Sequence, residues 1–178
     1  MTSIANRALC GLALMAALLA CPTPWSPLNA AESATELGPV TNLPIPRYVS
    51  LRSSEINVRR GPGLDYRKDW VFRRAGLPVQ VIEEYGDWRR IVDQDEATGW
   101  VYHAMITGRR TVLITADRVF FREDPTETAA ATAQAEEGVV ASLRKCGPDW
   151  CEVEAEGHRG WVPKSALWGV ELDEVSAD

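Results

Sequence analysis

Of the four cysteines, Cys10 and Cys21 lie near the start of the chain, and the other two sit in one short segment, Cys146-Gly-Pro-Asp-Trp-Cys151. A thiol can serve as a nucleophile, a metal ligand or half of a disulfide, and its surroundings decide which. Hydrolysis by a Cys-His pair needs a free thiol beside a histidine that a third group orients. The only histidines are His103 and His158, and the two cysteines can satisfy each other. A zinc site from Cys146, Cys151 and His158 would lack the Cys-x-x-Cys spacing common in structural zinc sites. No serine lies in a Gly-x-Ser-x-Gly turn, so the nucleophile elbow is missing as well. The expected chemistry is a disulfide across a β-turn, where residues this close in sequence can come within bonding range. Such a bridge closes a short loop and contributes about 2 kcal/mol by the chain-entropy argument. No catalytic residue, metal or cofactor is implied.

Recognition is the other chemistry the residues could perform. Seven tryptophans are present. Trp88 and Trp150, and Trp100 and Trp161, stand at matching places in two similar stretches, which reads as core packing. Trp70 has no counterpart, so ligand contact weighs more there, because groove aromatics supply much of the area in peptide recognition. Four arginine pairs occur, at 59–60, 73–74, 89–90 and 109–110. Adjacent residues of a strand face opposite sides, so no pair forms a patch by itself. The plain reading is solvated surface and the functional one a carboxylate-binding groove. Residues 48–114 carry 11 basic and 9 acidic side chains, whereas residues 115–178 carry 6 and 14. The first half is thus the better partner for an anionic ligand, and the two halves can also attract each other.

These residues must be positioned by a folded, exported chain. Hydrophobic residues make up 46% and charged residues 25% of the 178, and the net charge is −6. That is the make-up of a globular protein, and an acidic one argues against nucleic-acid binding. Arg7 is the only charged side chain among residues 1–31 and precedes the apolar run Leu9 to Ala20. A basic start before a short apolar run is a signal-peptide pattern, and the run is too short to span a membrane. Residues 1–30 are therefore assigned to a cleaved signal. Two processing readings stand. One is ordinary cleavage near Ala30 or Ala31, which leaves a soluble periplasmic protein. The other is lipidation of Cys21 in Leu18-Leu19-Ala20-Cys21, which would tie it to a membrane. In either case Cys146 and Cys151 meet an oxidising compartment, where disulfides persist.

Beyond the leader the chain repeats itself. Gly76 matches Gly138, Trp88 matches Trp150, Gly99-Trp100-Val101 matches Gly160-Trp161-Val162, and Gly108 matches Gly169. Arg59 and Pro62 match Arg122 and Pro125, and every offset lies between 61 and 63 residues. Similarity at a fixed offset means two copies of one unit. Within the first copy, Val79 to Ile82, Trp88 to Val92, Gly99 to Tyr102 and Thr111 to Ile114 read as strands, with one helical turn at His103 to Ile106. In the second, Val139 to Leu143, Trp150 to Glu154 and Gly160 to Pro163 do so. Short aromatic and β-branched runs between turns predict an all-β fold. The predicted layout is a signal (1–30), an extended linker (31–47), a first domain (48–114), a second, degenerate domain (115–170) and a loose acidic tail (171–178). In this layout the hairpin position of Cys146 and Cys151 corresponds to Tyr85 and Arg89.

The stretch Glu55-Ile-Asn-Val-Arg-Arg-Gly-Pro-Gly-Leu-Asp-Tyr66 resembles the opening of a bacterial SH3 domain, and the later Gly-Asp-Trp and Gly-Trp-Val elements fit the same family. The resemblance covers about Val49 to Val170. In the second copy Asp124-Pro125-Thr126 replaces Gly-Pro-Gly, so that copy matches more weakly. The resemblance implies two tandem SH3-like β-barrels that bind cell-wall peptidoglycan or peptides without catalysis, along a groove near the long first loop. Carried onto this sequence, the groove residues are Asn57, Arg59, Tyr66, Trp70, Trp88 and Tyr102. The alternative is a structural adaptor that offers its acidic second domain to an envelope protein. Glycines beside Pro62 suit a turn with positive φ, and Gly99 and Gly160 suit close backbone approach at a barrel corner.

Overall fold

The computed structural model describes residues 36–176. The assigned signal and Cys21 lie outside them, as do the first residues of the assigned linker and the last two of the chain. Among the described residues no helix is long and apolar enough to cross a membrane.

An N-terminal arm pairs β1 (Glu36–Leu37) with β2 (Pro44–Ile45). The first barrel contains β3 (Arg47–Leu51), β4 (Ile56–Arg59), β5 (Lys68–Phe72), β6 (Pro78–Tyr85), β7 (Trp88–Val92), β8 (Thr98–Tyr102), the 3-10 turn His103–Met105 and β9 (Ile106–Thr107). The second contains β10 (Thr111–Ile114), β11 (Arg118–Arg122), β12 (Ala131–Glu136), β13 (Val140–Cys146), β14 (Trp150–Ala155), β15 (His158–Pro163), the 3-10 turn Lys164–Ala166 and β16 (Leu167–Trp168). Each is a seven-stranded antiparallel sheet. The first runs β5-β4-β8-β7-β6-β3-β9 and the second β12-β11-β15-β14-β13-β10-β16, the same order shifted by seven strands. The repeat read in the sequence is thus a repeat of topology.

Period-two alternation builds each core. In β4, Ile56 and Val58 are fully buried while Asn57 and Arg59 face the other way, partly exposed. Val79, Val81, Ile91 and Val101 complete the first core, and Val112, Phe121, Val153 and Val162 are central to the second. The glycine before each repeated tryptophan is required by the crossing of strands. A Cβ at Gly99 would lie 2.3 Å from Val58 Cγ1, and one at Gly160 would lie 2.7 Å from Phe121 Cβ. The Gly-Pro-Gly turn works differently from expectation. Gly61 and Gly63 are not among the positive-φ residues. Gly61 is needed because a Cβ there would lie 2.4 Å from the Tyr66 ring.

Three further expectations are corrected. Thr111 to Ile114, read as the end of the first domain, is β10 and pairs with β13 and β16 of the second sheet. A short apolar strand carries no signal of which sheet it joins, so the join moves to residues 108–110. The linker is not an extended tether beyond residue 36, since Ile45 is buried in the first core. The tail is not loose through Ser176. Lys164 Nζ donates to the carbonyls of Leu172 and Glu174 at 2.8 and 2.7 Å, and Ser176 bridges Cys146 through main-chain bonds in both directions.

The barrels pack against each other through a buried polar knot. The Ser50 and Thr111 hydroxyls lie 2.6 Å apart, and each also reaches a carbonyl, of Arg109 and Gly76 respectively. Two hydroxyl protons face three contacts, so two of the three are hydrogen bonds at any one time. Leu113 is 3% exposed, belongs to neither core, and shares a small cleft with Phe72, Leu77 and Trp168. Tyr48 meets Trp168 edge-on at 5.3 Å, and Arg74 donates to the Gly138 carbonyl at 2.6 Å.

The expected disulfide joins Cys146 to Cys151. Reducing it, or replacing both cysteines by serine, is expected to destabilise the second barrel by about 2 kcal/mol. Denaturant titrations with and without reductant measure this, and an unchanged midpoint would refute it.

Candidate binding groove

On the outer face of the first barrel, β4, β7 and β8 and the loop after β4 enclose a groove of about 200 Å³. Four of the six residues expected there line it: Asn57, Arg59, Trp88 and Tyr102. Asn57 and Arg59 reach it because they alternate with the buried Ile56 and Val58. Trp88 and Tyr102 reach it because they are direct cross-strand partners on β7 and β8. Their rings meet edge-to-face at 5.7 Å and 72°, a favoured aromatic geometry. Trp88 is therefore half-buried wall rather than core, while Trp100, its neighbour in the repeat argument, is buried as expected.

Arg59 does not offer a free guanidinium. Its Nη1 donates to the carbonyls of Leu64 and Tyr66 at 2.9 and 2.6 Å, which fixes the loop forming the groove's rim. The matching Arg122 donates to the Ala129 carbonyl at 2.7 Å in the second barrel.

Tyr66 and Trp70 are not among the lining residues. Tyr66 lies on Gly61 and buttresses the loop from outside. Trp70 pairs with Val58 across β4 and β5 and packs against the first core, edge-on to Phe72 at 6.2 Å. Sequence reasoning missed Glu55, Leu64 and Met105, which complete the wall. Glu55 was legible one step before the alternating strand. Met105 is set by the 3-10 turn, whose side-chain directions the pattern does not reveal.

Beside the groove the β6–β7 hairpin is held by a buried carboxylate. Glu84, 4% exposed, accepts from the Val40 and Thr41 amides at 3.0 and 2.8 Å, from the Thr41 hydroxyl at 2.6 Å and from Arg47 at 2.7 Å. Arg89 Nε stands 3.5 Å away on the facing strand. Burial pushes the Glu84 carboxyl up, but the hydrogen bonds from Thr41, Arg47 and Val40 outweigh it and hold the group down at about 2. This lock pins the arm to the barrel. It also replaces the Tyr85–Arg89 correspondence expected from sequence. Register pairs Glu84 with Arg89 as it pairs Cys146 with Cys151. The ion pair and the disulfide occupy the same position in the two copies.

A family model described as bacterial SH3 domain matches residues 52–108 and again 115–169. The chain belongs to the bacterial SH3 domain family. This is a family of binding domains, and here it is present twice in tandem. Solved structures similar to the chain include NlpC2 and NlpC1 from Trichomonas vaginalis, at 9% and 10% identity and a TM-score of 0.32 in both cases. The matches cover 69% and 74% of this chain and 48% of each of theirs, so the chain spans about half the length of those proteins. No curated protein matches it.

The second SH3 copy carries a corresponding cleft with altered chemistry. Trp150 stands for Trp88, Pro163 for Tyr102 and Glu127 for Leu64, and Leu172 of the chain's own tail forms part of the wall. The neighbouring cross-strand pair is inverted in charge. Glu83 with Arg90 becomes Lys145 with Glu152. Hydrogen bonds from Arg159 hold the Glu152 carboxyl below the usual carboxylate range. Among the described residues no group of three or more His, Cys, Asp or Glu could hold a metal ion.

Proposed function

We propose that this SH3 protein is a non-catalytic binding module of the cell envelope, exported to the periplasm, that takes peptidoglycan or a peptide in the groove of its first barrel. The observation that supports this reading is the convergence of Asn57, Trp88 and Tyr102 on one open wall, with Leu64 and Met105 beside them. Such a wall combines aromatic area with a neutral amide, which is the make-up of a peptide- or sugar-binding surface. The rim is pre-set by the Arg59 clamp, so little loop ordering opposes binding. In the second barrel the tail already occupies part of the cleft, which leaves the first as the receptive copy.

The test is retention of the purified protein on insoluble peptidoglycan sacculi. Trp88→Ala together with Tyr102→Ala is expected to weaken retention at least tenfold, with circular dichroism unchanged, since truncating central aromatic anchors costs more than about 1 kcal/mol each. Phe120→Ala, on the exposed face of the second barrel, should bind as the native chain does. Equal retention of the double variant and the native chain would overturn the site. Failure of the native chain to bind sacculi would point instead to an envelope protein as partner.

A further inference from the structure

A cleft of about 600 Å³ lies between the two barrels and shares no residue with the outer groove. Its walls carry opposite charge. The first barrel and the join contribute Arg52 and Arg109, and the second barrel contributes Glu154 and Glu156. Among the described residues no ion pair crosses from one wall to the other. Glu154 is engaged by Arg144 of its own barrel, whose Nε donates at 3.1 Å, and Arg52 reaches only the Ile106 carbonyl, at 3.5 Å. The exposed side chains of Arg109 and Glu156 make no hydrogen bond or ion pair at all. The Ser50–Thr111 contact and the bond from Arg74 to the Gly138 carbonyl tie the barrels together, so the unlike walls stand apart at a set span.

The floor between the walls is short of one proton. Thr107 faces Ser50 in register across β3 and β9, and Thr111 faces Ser142 across β10 and β13, and all four residues line the cleft. The Ser50 and Thr111 hydroxyls hold two protons for three contacts, to each other and to the carbonyls of Arg109 and Gly76. If both protons go to the carbonyls, two lone pairs meet at 2.6 Å. If one goes between the hydroxyls, the carbonyl of Arg109 or of Gly76 is left bare. Every arrangement wants a further donor, and Gly76 and Arg109 are themselves on the cleft surface. A primary ammonium has three donors and no acceptor, so it can serve the floor and a carboxylate together. The arginine wall is suited to the opposite end of such a molecule, because guanidinium groups take carboxylates through charge-assisted hydrogen bonds.

We propose that the cleft between the barrels is a binding site for a small zwitterion of the amino-acid class, its carboxylate on Arg52 and Arg109 and its ammonium toward Glu156 and the hydroxyl floor. The two ends of the ligand would bridge walls that the protein leaves unbridged. The site stands independently of the outer groove, since none of its residues is shared.

The experiment is a titration of the purified protein with glycine, 4-aminobutanoate and 6-aminohexanoate, which separate the two charges by increasing lengths, followed by amide NMR shifts. Hexanoate and hexylamine, each with one charge only, are titrated alongside. Saturable shifts at Thr107, Ser142 and Glu156 are expected with at least one of the three zwitterions and with neither single-charge compound. Arg109→Gln and Glu156→Gln, both at exposed side chains, should each weaken that binding about tenfold, the value of one charged hydrogen bond. The Trp88/Tyr102 double variant should bind the zwitterion as the native chain does. Absence of saturable shifts with all three zwitterions, hexanoate or hexylamine binding as tightly as the best of them, or a Glu156→Gln variant of native affinity would each overturn the proposal. Loss of sacculi retention in the Trp88/Tyr102 variant with zwitterion binding intact would confirm that the two sites are separate.

Discussion

Replacing Phe121 by alanine is expected to destabilise the second barrel by about 4 kcal/mol, the cost of a large cavity in a closed core. Among the described residues Phe121 is the largest fully buried side chain, 1% exposed, and its Cβ rests where Gly160 leaves room. The site cannot collapse to fill the void, because β11 and β15 already cross as closely as a glycine permits. A unit of this size has only a few kcal/mol of stability to lose. The variant should therefore lose the cooperative unfolding transition of the second barrel at room temperature, read by tryptophan fluorescence in denaturant. A loss under 1 kcal/mol would mean that the core is looser than its burial indicates.

The second large effect falls on the first barrel. Glu84→Gln keeps the side-chain shape but removes the charge that Arg47 and Arg89 face. The folded carboxyl is held at about 2, against 4.5 in the unfolded chain. A depressed acid contributes stability that is fully present above the unfolded value and is lost as pH falls through the folded one. The contribution is about 3 kcal/mol, in line with the cost of breaking a buried ion pair. At pH 7 the glutamine variant should be less stable by that amount, and the gap should close between pH 5 and pH 2. Denaturant midpoints of both proteins across that range decide it. A constant gap would show that the charge is not what holds the arm.

How far the sequence could be read depended on whether the signal was local. The glycines before Trp100 and Trp161 express sterics at one crossing and were legible as such, whereas the alternation Ile56-Asn57-Val58-Arg59 is equally local but Asn57 and Arg59 were placed through the family resemblance. The pairing of Cys146 with Cys151 is local for the same reason. The sheet to which Thr111 to Ile114 belongs is a long-range choice that its own composition does not encode. The tail was misread because acidic residues look solvated until Arg110 and Lys164 stand beside them. Tyr66 and Trp70 fall outside the lining of the groove for a related reason. Aromatics near a loop can face groove, loop or core, and only the closeness of Gly61 and of the barrel core decides.

The exchange of Glu84 and Arg89 for Cys146 and Cys151 at one hairpin position means that the two barrels answer to different agents. Acid reaches the first lock and leaves the second untouched, whereas a reductant does the opposite. The order in which the halves come apart is therefore not a fixed property of the molecule. The medium shifts the balance: an acidic, oxidising bath weakens the lock of the first half, and a neutral, reducing one the lock of the second.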